Sequence, residues 1–241
     1  MRFMPRRPLL LGLGLAALAP ALTPALAPAL APALPLLATP AHAQQQPAQR
    51  DPSWQPWFDP QQLPRFSGTG DRYLLAPDGR TDGFLFREGS QVLFPAELAD
   101  ELKGSAPDGK LIVVYGIRAR SNAVITMLAW ALTEEEEPRW VERPAWPRPP
   151  NWHNMRGPLR VDGTVRTPLY AANGELNGAL LEDGSVIRMP PHAAAKVAER
   201  LKKGARVVAE GDGSEAGGVR SLLAQRIGET AESLAPIEKP E

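Results

Sequence analysis

Short runs of alternating apolar and polar residues, separated by glycine-containing turns, fill the chain between residues 65 and 228. Such runs predict β-strands, because successive side chains of a strand point to opposite faces. Asp78-Gly79 and Asn173-Gly174 are typical of tight hairpins, since both residues of each pair tolerate positive φ. After the third strand of each half, Pro95 and Pro190 open a short helical run. The pattern therefore predicts five strands and one helix, and predicts them twice.

The two halves align at an offset of 95 residues without a gap, Phe66–Thr133 against Val161–Gly228. Glycine is the residue most often identical at matched positions, and it is needed where φ is positive or where backbones approach closely. The two halves therefore share turns more than surfaces. The predicted strands are Phe66–Ala76, Gly83–Arg87, Ser90–Phe94, Lys110–Ile117 and Ala123–Leu132, and in the second half Gly178–Glu182, Ser185–Met189, Ala205–Glu210 and Val219–Ile227.

Three strands, a helix and two further strands in about 70 residues is the element order of the OB-fold. The chain thus resembles small exported bacterial OB-fold proteins, here in tandem. The resemblance rests on element order and turn spacing, and it covers both units. It implies a mainly β protein with two five-stranded barrels, each with one short helix between strands 3 and 4. Two small β-sandwich domains are the alternative, because short strands with glycine turns serve both architectures.

Residues 1–43 are predicted to be a signal peptide. Arg2, Arg6 and Arg7 precede a long run of Leu and Ala, and Ala41-His42-Ala43 forms an A-x-A cleavage site. Repeated prolines in the apolar run disfavour a membrane-spanning helix, although an uncleaved anchor is the alternative. We therefore expect a periplasmic or secreted protein with no stable membrane span after cleavage.

The rest of the chain divides into five segments. They are a Gln/Pro-rich arm (44–64), a first OB-like domain (65–133), a linker rich in Pro, Trp and Arg (134–160), a second OB-like domain (161–228) and a tail predicted to be disordered (229–241). We expect the protein to be a monomer.

Composition narrows the possible functions. The chain has 27 basic and 27 acidic residues, and removing the three arginines of the signal peptide leaves 24 against 27, so nucleic-acid binding is not expected. The sequence has no cysteine, and neither His153 nor His192 has the spacing of a metal ligand pair. No nucleophile–base, phosphate-loop or dinucleotide motif occurs. We predict no metal, no cofactor and no enzymatic activity.

Comparison of the two halves gives candidate binding residues. A position that must be core should stay apolar in both halves. By this test the core includes Leu85, Phe86 and Phe94. Tyr115 and Trp130 align with Glu210 and Gln225, which predicts that both aromatic side chains face the surface, where OB barrels stack ligands. The alternative is that the linker or the N-terminal arm covers them.

The linker adds Trp140, Trp146, Arg148 and Trp152 on an extended, proline-rich backbone. Trp and Arg are the residues that dominate binding hot spots, and indole faces stack on sugars and cations. The alternative is a semi-rigid spacer whose tryptophans pack on the barrels. We therefore predict an exported, non-enzymatic binding module of the bacterial cell envelope. Its partner would be an envelope protein; the alternative is an envelope glycan, and single-stranded nucleic acid is less favoured.

Overall fold

A computed structural model describes residues 59, 62–142 and 157–237. These residues form two five-stranded β-barrels, each with a short helix between its third and fourth strands. In each barrel the third strand pairs in parallel with the fifth and so closes the sheet on itself. The mainly β, OB-like architecture predicted from the element order is confirmed, and closure of the sheets excludes the sandwich alternative.

Barrel 1 has the sheet order β3-β2-β1-β4-β5, and β6 pairs with the stretch of β5 that β3 leaves free. Its elements are β1 (Arg65–Leu75), β2 (Thr81–Phe86), β3 (Gln91–Leu93), a 3-10 turn (Ala96–Leu98), α1 (Ala99–Ser105), β4 (Leu111–Arg118), β5 (Val124–Ala131) and β6 (Arg139–Trp140). The short strand β6 lies within residues 134–160, which the sequence predicts to be a linker.

Barrel 2 repeats this order as β9-β8-β7-β10-β11, with a short β12 on the free stretch of β11. Its elements are β7 (Gly157–Tyr170), β8 (Leu176–Leu181), β9 (Val186–Arg188), α2 (Pro191–Lys196), a 3-10 turn (Ala198–Leu201), β10 (Arg206–Ala216), β11 (Val219–Gly228) and β12 (Ala235–Pro236). The predicted end of the fourth strand at Glu210 is wrong, because β10 continues through two glycines that let the β11 backbone approach closely.

Each barrel encloses its own apolar core. In barrel 1, Phe84, Phe86 and Phe94 pack together, and Leu102 of α1 closes one end of the barrel. Phe86 and Phe94 are therefore core residues, as predicted. In barrel 2 smaller side chains fill the corresponding space. Burial of such side chains, at about 1.5–3 kcal/mol each, is the main contribution that holds each barrel closed.

The fifth strands depart from the offset of 95. Gln91 pairs with Val124, whereas the equivalent Val186 pairs with Ser221, so Val124 and Ser221 correspond at an offset of 97. The cause lies in the hairpin before this strand. Between matched pairs of the fourth and fifth strands, barrel 1 has residues 119–124 and barrel 2 has residues 214–221, which is two residues more.

Candidate functional site

Trp130 is a core residue of barrel 1. Its side chain is 0% exposed, and the guanidinium of Arg139 lies over its ring, 4.6 Å from the ring centroid. Arg139 also forms ion pairs with Glu101 and Glu136, so it stands as a charged cover over the end of the core. The prediction that Trp130 faces the surface is wrong.

The physical reason is the difference in register between the fifth strands. The gap-free alignment matches Trp130 with Gln225, which is exposed. Strand pairing instead matches Trp130, opposite Val114, with Ile227, opposite Ala209. All four of these residues are buried in their barrel cores. With the correct partner, the position is apolar in both barrels and passes the test for a core residue.

Tyr115 does point outward from barrel 1, but the chain itself covers it. The tyrosine is 5% exposed, so the prediction of an exposed aromatic is wrong here too, and the alternative of a cover by neighbouring segments is confirmed. We call this region the outer apolar face. It consists of Val113, Tyr115, Ala129 and Ala131, with Leu63 before β1 and Trp140 of β6 packed on it.

The corresponding surface of barrel 2 is charged. Glu210, at the position of Tyr115, accepts a hydrogen bond from Arg226 at 3.0 Å and lies 3.7 Å from Arg160. These three side chains are partly exposed to water, where such ion pairs contribute about 0–1 kcal/mol each. The outward surfaces of strands four and five therefore differ between the barrels in chemistry, although the strands are equivalent.

Two apolar side chains extend the outer apolar face into solvent. Leu111 and Ile117, at the two ends of β4, are 52% and 53% exposed. Both point to the same side of the strand as Val113 and Tyr115, since outward residues alternate with core-facing ones. The result is an apolar stripe along β4 whose middle is covered and whose ends are open.

The structure thus brings together two of the six predicted site residues, Tyr115 and Trp140, and turns Trp130 to the opposite side of β5. Trp146, Arg148 and Trp152 lie outside the described residues.

A second surface, which was not among the predicted binding surfaces, lies between the barrels. We call it the pairing face. It is formed by outward-pointing residues of β1 and β2 of barrel 1 and of β7, β8 and β9 of barrel 2. Its buried members are Leu74, Leu85, Leu169, Leu180 and Val186. Leu85 is buried as predicted, but in this cluster and not in the core of barrel 1. A sequence signal existed, because strands buried on both faces have continuous apolar runs, such as Phe84-Leu85-Phe86 and Ala179-Leu180-Leu181.

Hairpin loops complete the contact between the barrels. The carbonyl of Gly174, in the first hairpin of barrel 2, accepts a hydrogen bond of 2.7 Å from the Asn122 side chain of barrel 1. In the opposite direction, Gly79 in the first hairpin of barrel 1 packs on Ser214 of barrel 2. OB-folds bind oligonucleotides and oligosaccharides with strands 2–3 and with the loops after strands 1 and 4. In this chain, residues of those strands and loops contact the other barrel.

Polar contacts cross the pairing face as well. Arg166 of barrel 2 donates to Asp71, and the buried Arg188 lies 3.4 Å from Asp82. Burial raises the pKa of the Asp82 carboxyl, and the charge of Arg188 opposes that increase. The side-chain amide of Gln91 accepts a hydrogen bond from the backbone N–H of Tyr170 and donates one to its C=O, in the way that a backbone amide of a neighbouring strand would.

The described part of the chain has no cluster of three His, Cys, Asp or Glu side chains that could hold a metal ion. Nor does any helix in the same residues have the length and apolar character to cross a membrane.

No protein-family model matches the chain, and no curated protein matches it. Among solved structures, a deletion mutant of the single-stranded DNA binding protein from Thermus aquaticus matches at 17% sequence identity and a TM-score of 0.23. The match covers 72% of this chain and 96% of that chain. A TM-score this low supports no conclusion about fold or function.

Proposed function

We propose that the protein is an exported, non-enzymatic binding module of the bacterial cell envelope, and that it binds a protein partner through barrel 1. The observation that supports this proposal is the difference between the outer surfaces of the two barrels. Barrel 2 presents ion pairs there, whereas barrel 1 presents an apolar stripe with two large exposed side chains, Leu111 and Ile117. Apolar side chains held on a rigid strand suit a protein surface, where they can be desolvated together.

The amino-acid sequence that follows Trp140 supports the same assignment. Trp140 already packs on the outer apolar face, and the chain continues from there toward Trp146, Arg148 and Trp152. We propose that these residues enlarge the binding surface of barrel 1, since Trp and Arg are enriched among residues that contribute most to binding.

Occupation of the usual OB ligand surface argues against the two other candidates. Oligosaccharides and single-stranded nucleic acids bind OB barrels at strands 2–3 and the adjoining loops, and here those elements contact the other barrel. The balance of 24 basic and 27 acidic residues after residue 43, obtained by subtracting three arginines from 27, further disfavours nucleic acid.

The test is capture from an envelope extract with the chain from residue 44 onward. We expect Leu111→Glu to reduce recovery of a specific partner by about tenfold or more, because it places a charge in an apolar contact. Ala216→Glu is the matched control, since it adds the same charge to an exposed position at one end of the fourth strand of barrel 2. Equal recovery with both variants would contradict the assigned surface.

Titrations with two other ligands separate the remaining candidates. Quenching of tryptophan fluorescence by peptidoglycan fragments, in the absence of any captured protein, would contradict a protein partner and favour a glycan. Salt-dependent binding of a single-stranded oligonucleotide would favour nucleic acid in the same way.

A further inference from the structure

We infer that the pairing face is a self-sufficient recognition surface: barrel 1 binds barrel 2 as the two halves of an internal dimer, without help from the segment that connects them. The evidence is the symmetry of the contact. In an interface between two equivalent subunits around a two-fold axis, residue i of one contacts residue j of the other, and j contacts i in return.

The apolar centre of the pairing face has this symmetry. Leu74 and Leu169 are separated by the offset of 95 residues and so are equivalent positions, as are Leu85 and Leu180. All four side chains belong to one buried cluster. Their relative exposure is at most 4%. Each leucine therefore contributes to the same contact as its counterpart in the other barrel, as the two copies of one residue do in a symmetric dimer.

The hairpin contacts are reciprocal in the same way. A Cβ built at Gly79 would lie 3.3 Å from Ser214, and one built at Gly174 would lie 3.0 Å from Ala119. Gly79 corresponds to Gly174, and Ala119 corresponds to Ser214, both at an offset of 95. Thus the first hairpin of each barrel meets the same place on the other barrel.

The ion pair between Asp71 and Arg166 also fits two-fold symmetry, because these two residues occupy equivalent positions in the two barrels and contact each other. Such a contact between counterparts can occur only close to the two-fold axis. Each of these contacts joins a residue of one barrel to a residue of the other. From this we conclude that association is encoded in the pairing face.

The test uses the full chain with a protease site inserted between Pro149 and Pro150. After cleavage of the folded protein, we expect the two halves to co-elute at micromolar concentration in size-exclusion chromatography and to appear as one complex in native mass spectrometry. Separation of the halves under these conditions would overturn the inference.

Variants of the cleavable chain test which residues carry the association. We expect Asp71→Arg, which places two arginines together, to weaken association of the cleaved halves about tenfold or more. The double variant Asp71→Arg with Arg166→Asp reverses the pair and should restore association. Asp162→Arg breaks an ion pair inside barrel 2, with Arg206, and should leave association unchanged.

Leu85→Glu probes the apolar centre, and circular dichroism of the uncleaved chain establishes whether barrel 1 still folds. If Leu85→Glu misfolds, the Asp71→Arg variant and the reversed pair alone test the association. Both alter only side chains that are partly exposed, so the barrels should still fold. Association that is weakened by Asp71→Arg but not restored by the reversed pair would overturn the assignment of this ion pair to the axis.

Discussion

Tyr73 is a partly buried residue that packs against the core of barrel 1. Its ring packs edge-on against Phe84 and Phe94, and its hydroxyl donates a hydrogen bond of 2.8 Å to the carbonyl of Ala106. Burial, and to a lesser extent the negative charge of Asp108, raises the pKa of the Tyr73 hydroxyl to about 12. The hydroxyl is therefore held neutral where the loop after α1 returns to the barrel.

A raised tyrosine pKa makes stability fall at alkaline pH. In the unfolded chain the hydroxyl loses its proton near pH 10, but in the folded chain it keeps the proton until about pH 12. The unfolded state thus binds fewer protons over this interval, and the free energy of unfolding decreases as the pH rises through it. We expect a decrease of up to about 2 kcal/mol, reduced by the partial exposure of the ring.

Absorbance at 295 nm measures the titration directly. The component that titrates at about pH 12 should disappear in Tyr73→Phe and persist in Tyr170→Phe, which is the matched control because burial also raises the pKa of Tyr170. A wild-type titration without any component of midpoint about 12, all tyrosines titrating with midpoints near the ordinary value of about 10, would contradict the assigned environment.

At the scale of elements, the two-residue strand β6 and the residue after it contact both the core and the outer apolar face of barrel 1. Val141, directly after it, is buried in the core of barrel 1, while Arg139 covers Trp130 and Trp140 covers the outer apolar face. A strand of two residues cannot be identified from an alternating pattern, because a pattern of period two needs several residues. The short strand nevertheless supplies side chains that cover residues on both faces of β5.

Arg139→Ala tests the cover over Trp130. We expect the free energy of unfolding to fall by about 1–2 kcal/mol, since the change removes a stacked guanidinium and two ion pairs. Urea denaturation followed by tryptophan fluorescence measures this difference. The comparison variant is Arg206→Ala, which loses one exposed ion pair and should change stability by less than about 0.5 kcal/mol. A loss no greater than that of Arg206→Ala would show that the cover contributes nothing.

Element order, hairpins and helix positions could be predicted because each depends on local chemistry. The side chains of Asp78 and Asn173, for example, accept hydrogen bonds from the backbone two residues onward, and thereby fix the first hairpin of each barrel. Exposure of Trp130 could not be predicted in this way. It depends on which residue of the neighbouring strand lies opposite, and two extra residues in one hairpin changed that match without disturbing the glycine pattern.

At the scale of the molecule, the buried cluster between the barrels predicts that both unfold together. All six tryptophans precede barrel 2, so tryptophan fluorescence reports on barrel 1 and its flanking segments, whereas circular dichroism reports on both barrels. We expect one transition, with the same midpoint by both methods, because separating the barrels would expose the pairing face to water.

The variant Gly211→Ala, which destabilises barrel 2 only, tests whether the two barrels unfold together. A Cβ at this position would lie 1.9 Å from the carbonyl oxygen of Leu223, so barrel 2 should lose about 2 kcal/mol or more. We expect the fluorescence midpoint of barrel 1 to fall with it. Gly104→Ala is the control, since a Cβ there has no described neighbour within 4 Å and alanine favours the helix by about 0.5–1 kcal/mol. An unchanged fluorescence midpoint in Gly211→Ala would mean that the barrels unfold independently.

The contact between Asp71 and Arg166 would be impossible in a dimer of identical barrels. There, the residue at this place would meet its own copy, acid against acid or base against base, and the two charges would repel. Halves that lie in one polypeptide can change separately, so one could keep an aspartate while the other holds an arginine. The same freedom allows Gln91 to bond the backbone of Tyr170 while its counterpart, Val186, stays in the apolar cluster. One gene thus supplies both unlike halves in equal number and keeps each beside the partner that it complements.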